Sequence, residues 1–303
     1  MTGLRVLFAT DGSTGAEDAL ELLIASFEPG GVEEVEVLSV VPRVTRWPGP
    51  GREDHGPISI IDSAHRAAAE ATVQAAGDRL AAAGLRAGTT VLGGHPAETI
   101  VLHARTGLPD LIIVGTRGRG ELRRQVVGSV PGKVARYAPT SVLVARTADP
   151  IRRIVLGYDA SPDADLALEL VSGLPFREAV SVTVCTAYDV AAPLASGIAP
   201  TMIDQVRAAH QEDLREARAA AEAVAADAAR RLSERGLVAE PRAIHGSPRD
   251  QLTVAASERV ADLVVVGSRG LSGIERFFLG STSAALVAHP PASVLVARGK
   301  LEA

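Results

Sequence analysis

The sequence has almost no sulfur and few aromatic residues. Cys185 is the only cysteine among 303 residues, so an intramolecular disulfide is excluded. A lone cysteine, together with the lack of a signal-peptide pattern, predicts a reducing, cytoplasmic setting. Aromatic residues make up 3% of the chain and apolar residues 47%. The cores must therefore be built from valine, leucine, isoleucine and alanine.

Long apolar runs, metal-ligand spacings and an excess of positive charge are also missing. No apolar stretch is long enough to span a membrane, and the net charge of −5 argues against a nucleic-acid surface. The 7 histidines show no metal-ligand spacing, so no metal site is predicted. Neither the P-loop pattern nor a Gly-x-Ser-x-Gly elbow occurs, which argues against P-loop ATPases and against hydrolases built on that elbow.

One pattern is present twice. A β-branched apolar run ends at Gly115 and continues as Gly-x2-Gly-x9-Gly-Ser to Ser129, and the same spacing runs from Gly267 to Ser281. The offset is 152 residues at both the first and the third glycine, and near the start of each half Asp11 corresponds to Asp159 at an offset of 148. Length and repeat predict two domains, residues 1–147 and 151–303.

Strand and helix patterns alternate within each half. Strands are predicted at 5–10, 33–41, 85–92, 108–114, 141–146, 153–158, 180–187, 237–244, 263–266 and 294–297. Helices are predicted at 14–27, 58–83, from Pro96, at 129–137, from Ser161, at 201–235 and from Ser247. Ser13 or Thr14 is predicted to cap the first helix, with Glu17 completing a capping box from Thr14. The alternation predicts an α/β fold of two tandem doubly wound, five-stranded parallel sheets, Rossmann-like, with strand order 3-2-1-4-5.

Three segments qualify this pattern. Pro241 predicts that the third strand of the second half lies at a sheet edge. Residues 42–57, which include Trp47, are rich in proline and glycine and are predicted to be either a plain connector or a flap over a ligand. Residues 188–200 are their counterpart in the second half.

The expected strand order brings the repeated pattern to one place in each half. Ligands of such sheets bind beyond the carboxyl ends of the strands where the order reverses, here between strands one and four. Asp11 would then face Gly115, and Asp159 would face Gly267. A glycine-rich loop leading into a helix start is suited to phosphate, and Arg117 and Arg269 could pair with it. The carboxylates should face a base or ribose, or act through a divalent cation.

These residues resemble those of tandem universal stress proteins of the ATP-binding kind. The resemblance covers nearly all of both halves and implies an adenine nucleotide in each crevice. In the first half it implies contacts at Ala9, Asp11, Val40, Gly115, Arg117, Gly118, Gly128, Ser129 and Val130. In the second half it implies contacts at Gly157, Asp159, Ala187, Gly267, Arg269, Gly270, Gly280, Ser281 and Thr282.

The two halves depart from the family pattern in different ways. Pro131 stands early in a helix where a small polar residue is usual. Phe277 and Phe278 replace polar residues of the first loop, which carries Arg119, Arg123 and Arg124 in addition to Arg117. The first loop is therefore the more basic, and the two sites are expected to differ in affinity.

Three functions remain open on the sequence alone. The leading hypothesis is a stress-adaptation regulator that binds one ATP per domain, with or without Mg²⁺, and is read by a protein partner without catalysis. The alternative is a slow ATPase or nucleotidyl-transferring enzyme using the same crevice. The third is a scaffold that assembles through sheet edges. The resemblance implies pairing of residues 142–144 with 294–296 between the two halves. The long second-half helix or the remaining surface could then form a homodimer of chains.

Overall fold

The computed structural model describes residues 3–42, 57–116, 128–192, 200–270 and 279–299. In the first half the strands and helices are β1 (Leu4–Ala9), α1 (Thr14–Ser26), β2 (Val32–Val41), α2 (Pro57–Ala82), β3 (Ala87–Gly93), α3 (Pro96–Gly107), β4 (Leu111–Gly115), α4 (Ser129–Tyr137) and β5 (Ser141–Ala145). In the second half they are β6 (Arg153–Gly157), α5 (Pro162–Gly173), β7 (Ser181–Tyr188), α6 (Ile203–Ser233), β8 (Val238–His245), α7 (Pro248–Glu258), β9 (Leu263–Gly267), α8 (Ser281–Ala288) and β10 (Ser293–Ala297). Single 3₁₀ turns lie at Pro29–Gly31 and Pro200–Met202.

The strand order within each half confirms the prediction. The first half runs β3-β2-β1-β4-β5, and the second half runs β8-β7-β6-β9-β10. All neighbouring strands within a half are parallel. Because consecutive parallel strands need helical crossovers, this order places helices on both faces and reverses the winding between the first and fourth strands.

The two predicted sheets form one sheet of ten strands. β5 pairs antiparallel with β10, and Leu143 lies opposite Leu295 at the centre of the junction. Both strands read Ser-Val-Leu-Val-Ala, and every residue in them is buried. An apolar edge strand left open would be a template for aggregation, and the pairing of β5 with β10 leaves neither strand open. The pairing that the family resemblance implied between the two halves is thus present inside one chain.

Polar contacts reinforce this junction with near twofold symmetry. The backbone N–H of Arg146 donates to Ser293 Oγ at 3.1 Å, and that of Arg298 donates to Ser141 Oγ at 3.1 Å. The Arg298 guanidinium also donates to backbone carbonyls at the carboxyl end of α4. Burial lowers the pKa of Arg298 from its ordinary value. The second half thus holds the end of a helix that belongs to the first.

Two apolar cores cover the two faces of the shared sheet. One contains residues of α1, α2, α5 and α6, and the other contains residues of α3, α4, α7 and α8. Each core takes side chains from both halves. β4 and β9 are buried along their whole length, as expected for central parallel strands. Cys185 lies in the second core, and burial raises the pKa of its thiol to about 11.

The sequence misplaced the start of the fourth strand and left two candidates for the first helix cap. Leu108 was expected to begin a strand, but it adopts a left-handed φ of 44° that ends α3, and β4 begins at Leu111. Of the two caps predicted for the first helix, Ser13 is confirmed as the N-cap and accepts the N–H of Ala16, so the capping box from Thr14 does not form. Glu17 instead pairs with Arg79 of α2.

The edge position predicted from Pro241 is confirmed. β8 lies at the sheet edge, so Pro241 removes an N–H that a central strand would need. Within the ranges the structure describes, no helix is both long and apolar enough to cross a bilayer. No group of three or more metal-ligating side chains occurs among those residues either. The segments of the predicted flap and its counterpart, 43–56 and 193–199, lie outside the described residues.

Candidate functional site

The turn after the first strand has the same construction in both halves. Asp11 Oδ1 accepts the N–H of Ser13 at 3.0 Å, and Asp159 Oδ1 accepts the N–H of Ser161 at 3.0 Å. The residue between them is left-handed, with φ of 70° at Gly12 and 59° at Ala160. The serine then caps α1 or α5. One oxygen of each predicted site carboxylate therefore fixes the turn that starts a helix.

The glycines that end the fourth strands have a packing role. A methyl group on Gly115 would lie 2.2 Å from the carbonyl oxygen of Gly15 in α1. One on Gly267 would lie 2.6 Å from the carbonyl carbon of Asp163 in α5. Only glycine allows these helix starts to sit against the strand ends. The first and fourth strands thus converge as predicted, although the close partner of each glycine is protein backbone.

In the second half the glycine loop touches the aspartate turn directly. A methyl group on Gly270 would lie 2.6 Å from Asp159 Oδ2. Gly280 lies against Ser268 and Arg269, the residues that follow β9. The two sequence signals, more than one hundred residues apart, are therefore neighbours in space.

The third glycine of each loop is the N-cap of the helix that follows. Neither Gly128 of α4 nor Gly280 of α8 provides a side-chain cap, in contrast to the serine caps of α1 and α5. The N–H of Gly128 donates to Thr116 O at 2.8 Å, and that of Gly280 donates to Ser268 O at 2.7 Å. These two amides, expected to face a ligand, are thus satisfied by the protein.

The N–H groups of the next residues along each helix are better placed to bind a phosphate than those of Gly128 and Gly280. Helical geometry leaves the first-turn N–H groups without an intrahelical acceptor, and the helix dipole favours an anion there. Ser129 and Ser281 are exposed, and Val130 and Thr282 are half-buried. The phosphate seat predicted at these four residues is therefore accessible at the start of both helices.

Arg269 does not extend into the loop as expected. Its Nε and Nη2 atoms each lie 3.1 Å from a carboxylate oxygen of Asp163, forming a bidentate pair. Ser268 Oγ donates to the same carboxylate at 2.5 Å. Burial by itself raises the pKa of Asp163, but the hydrogen bonds from Arg269 and Ser268 outweigh it and hold the pKa below its ordinary value. The Arg269 guanidinium is therefore paired with a carboxylate of the protein itself.

The residues predicted near the base lie at the carboxyl ends of the first two strands of each half. Ala9 and Val40 belong to or pack against the core on the α3 face. Ala187 is half-buried near the end of β7. A methyl group on Gly157 would lie 2.8 Å from a methyl carbon of Leu252. These positions therefore lie at the carboxyl ends of the strands, and Ala9 is part of the core there.

Several predicted site residues cannot be placed. Arg117, Gly118 and the other first-loop arginines Arg119, Arg123 and Arg124 lie outside the described residues, as do Phe277, Phe278 and Trp47.

Sequence reasoning missed two side chains that shape the second site. Asp163 holds Arg269, and Ser283 Oγ donates to the carbonyl of Gly267 at 2.6 Å. Both could have been found by aligning the halves. At the offset of 148 Asp163 corresponds to Gly15, and at the offset of 152 Ser283 corresponds to Pro131. The first half has neither side chain at these positions.

Comparison with known proteins agrees with this geometry. The family model described as "Universal stress protein family" matches residues 4–146 and again residues 150–298. The chain belongs to the universal stress protein family.

Two similar universal stress proteins match nearly the whole chain. A universal stress protein of Mycobacterium tuberculosis (strain ATCC 25618 / H37Rv) is 27% identical over 98% of this chain and 96% of its own length. The crystal structure of a universal stress protein from Archaeoglobus fulgidus DSM 4304 covers 97% of both chains, with a TM-score of 0.66 and 20% identity. At that identity the match shows the shared fold. A universal stress protein solved in complex with cAMP covers 49% of this chain and 97% of its own, with a TM-score of 0.33 and 24% identity.

Proposed function

We propose that this universal stress protein is a nucleotide-responsive regulator that binds one adenine nucleotide, ATP, in the crevice of each half. The observation that carries the proposal is the repeated convergence of an aspartate turn, a glycine-ended fourth strand and a helix capped by glycine alone. The same set occurs at Asp11, Gly115 and Gly128 and at Asp159, Gly267 and Gly280.

The chemistry of these elements divides the ligand between two ends. The first turns of α4 and α8 offer backbone N–H groups and serine hydroxyls to phosphate. The apolar ends of β1, β2, β6 and β7 provide a surface for the base. The carboxylates of Asp11 and Asp159 stand at the strand ends, where they would repel bare phosphate but could accept a ribose hydroxyl or hold Mg²⁺.

The composition of the purified protein tests binding. Chain purified without added nucleotide should be denatured, and the released small molecules identified and counted by mass spectrometry. We expect adenine nucleotide at near two molecules per chain. Protein that is empty and also shows no heat of binding on titration with ATP and Mg²⁺ would contradict the proposal. Ser129→Glu should reduce the count by about one, because a carboxylate would compete for the same N–H groups.

We propose binding without turnover. Asp11 Oδ1 and Asp159 Oδ1 hold their turns through hydrogen bonds to Ser13 and Ser161, which is a structural use of the groups that an ATPase would need. Phosphate release from ATP should therefore be no faster with the protein than with the Asp11→Ala and Asp159→Ala variants. Sustained release that depends on either aspartate would instead favour the slow ATPase.

Regulation requires another molecule that recognises the nucleotide-bound state of this protein. We propose a protein partner, a cytoplasmic location in line with the single cysteine, and a homodimer of tandem chains. β5 and β10 already pair with each other within the chain, so neither is an open edge strand for a second chain. A homodimer must therefore form through another surface. Light scattering at micromolar concentration tests it, and a monomer under these conditions would contradict the dimer.

A further inference from the structure

A pocket outside the proposed nucleotide crevice lies beneath the carboxyl end of α3. Its volume is about 230 Å³, and residues of β1, β2, β3 and the last turns of α3 line it. The strand residues that line it belong to the amino-terminal halves of their strands. The proposed crevice lies at the carboxyl ends of the strands, so the pocket is a separate feature of the first half.

Two carboxylates face this pocket. Glu36 Oε1 accepts the Thr90 hydroxyl at 2.9 Å and lies 2.7 Å from His103 Nε2. Both contacts involve the same oxygen, and among the described residues Glu36 Oε2 has no such partner. A methyl group on Gly88 would lie 3.5 Å from Glu34 Oε1, so the second carboxylate lies beside this glycine. One pocket thus offers carboxylate oxygens from two glutamates.

The charges around the pocket favour a cation. Apart from His103, its charged lining residues are the carboxylates of Glu34 and Glu36 and the guanidinium of Arg5. The Glu36 side chain is only 35% exposed, and an ion pair partly shielded from water is stronger than one on an open surface. The carboxyl end of a helix also favours positive charge, and α3 ends at the pocket. The pocket is therefore suited to a ligand with one positive charge.

The second half fills the corresponding space with its own side chains. At the offset of 152, Gly88 corresponds to Glu240 and Gly107 corresponds to Arg259. Arg259 Nη2 lies 2.7 Å from Glu240 Oε1, and the same oxygen accepts the Thr183 hydroxyl at 2.9 Å. Both halves thus hold a carboxylate that is bound by a threonine hydroxyl. Within the described ranges, only the second half pairs that carboxylate with a guanidinium of its own.

We infer that the pocket of the first half binds a small organic cation, an alkylguanidinium, in the place that the Arg259 side chain takes in the second half. The N–H donors of a guanidinium lie in one plane, so one group donates to Glu36 Oε2 and to a second acceptor of the pocket. The site lies apart from the nucleotide crevice. The inference therefore goes beyond the proposed function and does not rest on it.

Binding of n-butylguanidinium to the full chain tests the inference, measured by equilibrium dialysis with the labelled compound. The matched ligand is n-butylurea, which has a similar shape and no charge. We expect n-butylguanidinium to bind at millimolar concentrations and n-butylurea to bind at least about tenfold more weakly, because only the cation pairs with the carboxylates. Equal binding of the two compounds, or no binding of n-butylguanidinium in that range, would overturn the inference.

Two variants locate the site. Glu36→Gln keeps the size of the side chain and removes its charge, so binding of n-butylguanidinium should weaken about tenfold. Gly107→Arg gives the first half the side chain that the second half has, so binding should be lost. A methyl group on Gly107 would meet nothing within 4 Å, so a side chain can be accommodated there. Undiminished binding in both variants would mean that the cation binds elsewhere, and the inference would be wrong.

Gly173→Arg is the matched control for the added charge. Gly173 ends α5 as Gly107 ends α3, and a methyl group there would also meet nothing within 4 Å. It does not line the pocket, so the affinity for n-butylguanidinium should change by less than about twofold. A loss as large as that caused by Gly107→Arg would show general repulsion by added charge and would contradict a site beneath α3.

A gain of binding tests the correspondence between the halves. Arg259→Ala removes the guanidinium that pairs with Glu240. In the Glu36→Gln background it should restore binding of n-butylguanidinium by at least about fivefold, because the ligand takes the place of the deleted side chain. No restoration would overturn the choice of a guanidinium as the ligand.

Discussion

The two halves share their fold but differ at the start of their first helices. The first half places a glycine, Gly15, against the end of β4, and the second half places a buried carboxylate, Asp163, against the end of β9. Around these positions the strand order, the aspartate turn and the glycine caps are the same. The two halves thus differ by a carboxylate at one equivalent position while their architecture is the same.

The largest effect is expected where the halves are alike. Gly115→Ala would place a methyl carbon 2.2 Å from a backbone oxygen of α1, and Gly267→Ala would place one 2.6 Å from backbone carbon of α5. Each helix would have to move, so we expect each variant to lower the free energy of unfolding by about 3 kcal/mol. The loss should be larger for Gly115→Ala than for Gly267→Ala, because its contact is the closer one. Urea unfolding measures it.

The control for this prediction is Gly107→Ala. Gly107 ends α3, and a methyl group there would meet nothing within 4 Å. Its stability should change by less than about 1 kcal/mol. If Gly115→Ala lowers the free energy of unfolding no more than the control does, the close approach of α1 to β4 does not require glycine there.

The next effect belongs to the second half alone. Asp163→Asn should lower the free energy of unfolding by about 2 kcal/mol at neutral pH, because it leaves Arg269 without its ionic partner. The folded pKa of Asp163 lies below its ordinary value of 3.8. This stabilisation is therefore complete above that pH and is lost as the pH falls through the lower, folded pKa. The difference between variant and wild type should shrink accordingly in acid unfolding curves.

An exposed ion pair provides the matched comparison. Glu222→Gln removes the partner of Arg218 on the surface of α6, where both side chains are more than half exposed. The expected loss is about 0.3 kcal/mol. An equal loss for Asp163→Asn would mean that the pair of Asp163 and Arg269 is no stronger than a surface pair.

An effect smaller than that of Asp163→Asn is expected where the second helix of each half contacts the first. Arg79 pairs with Glu17 and Glu21 in the first half, whereas Arg231 binds Asp165 and the hydroxyl of Tyr158, which itself donates to Asp165 at 2.7 Å. Tyr158→Phe should cost about 1 kcal/mol.

Alkaline titration sharpens that prediction. Burial, followed by the hydrogen bond to Asp165, raises the pKa of Tyr158 from 10.0 to about 12. The folded state favours the neutral phenol, so its contribution is complete below pH 10 and is lost as the pH rises toward 12. Tyrosinate absorbance should show one late-titrating group that Tyr158→Phe removes. A full titration near the ordinary pKa would contradict the buried hydrogen bond.

Much of the architecture followed from local pattern. Alternation of strands and helices predicted the order that the sheet has, and the bounds of α4, Ser129–Tyr137, agree with the prediction. Pro241 identified an edge because a missing N–H is a property of the residue itself. The start of β4 was missed because Leu108 continues an apolar run in sequence, whereas its backbone ends a helix.

The position of the candidate site was predictable from the sequence, but the hydrogen-bond partners of its residues were not. Residue type and spacing located the aspartate turns and the helix starts. The commitment of Arg269 depends on Asp163, which lies 106 positions away, and on the side-chain direction that burial selects. The amides of Gly128 and Gly280 are satisfied by carbonyls that only the folded loop brings near. Such contacts are decided by tertiary packing.

Arg298 connects the second half to the helix that carries the proposed phosphate seat of the first. Its guanidinium donates to backbone carbonyls at the carboxyl end of α4, and the opposite end of α4 is that proposed seat. If a ligand in either half shifted this contact, the coupling would have to be reciprocal, each ligand changing the affinity of the other by the same factor.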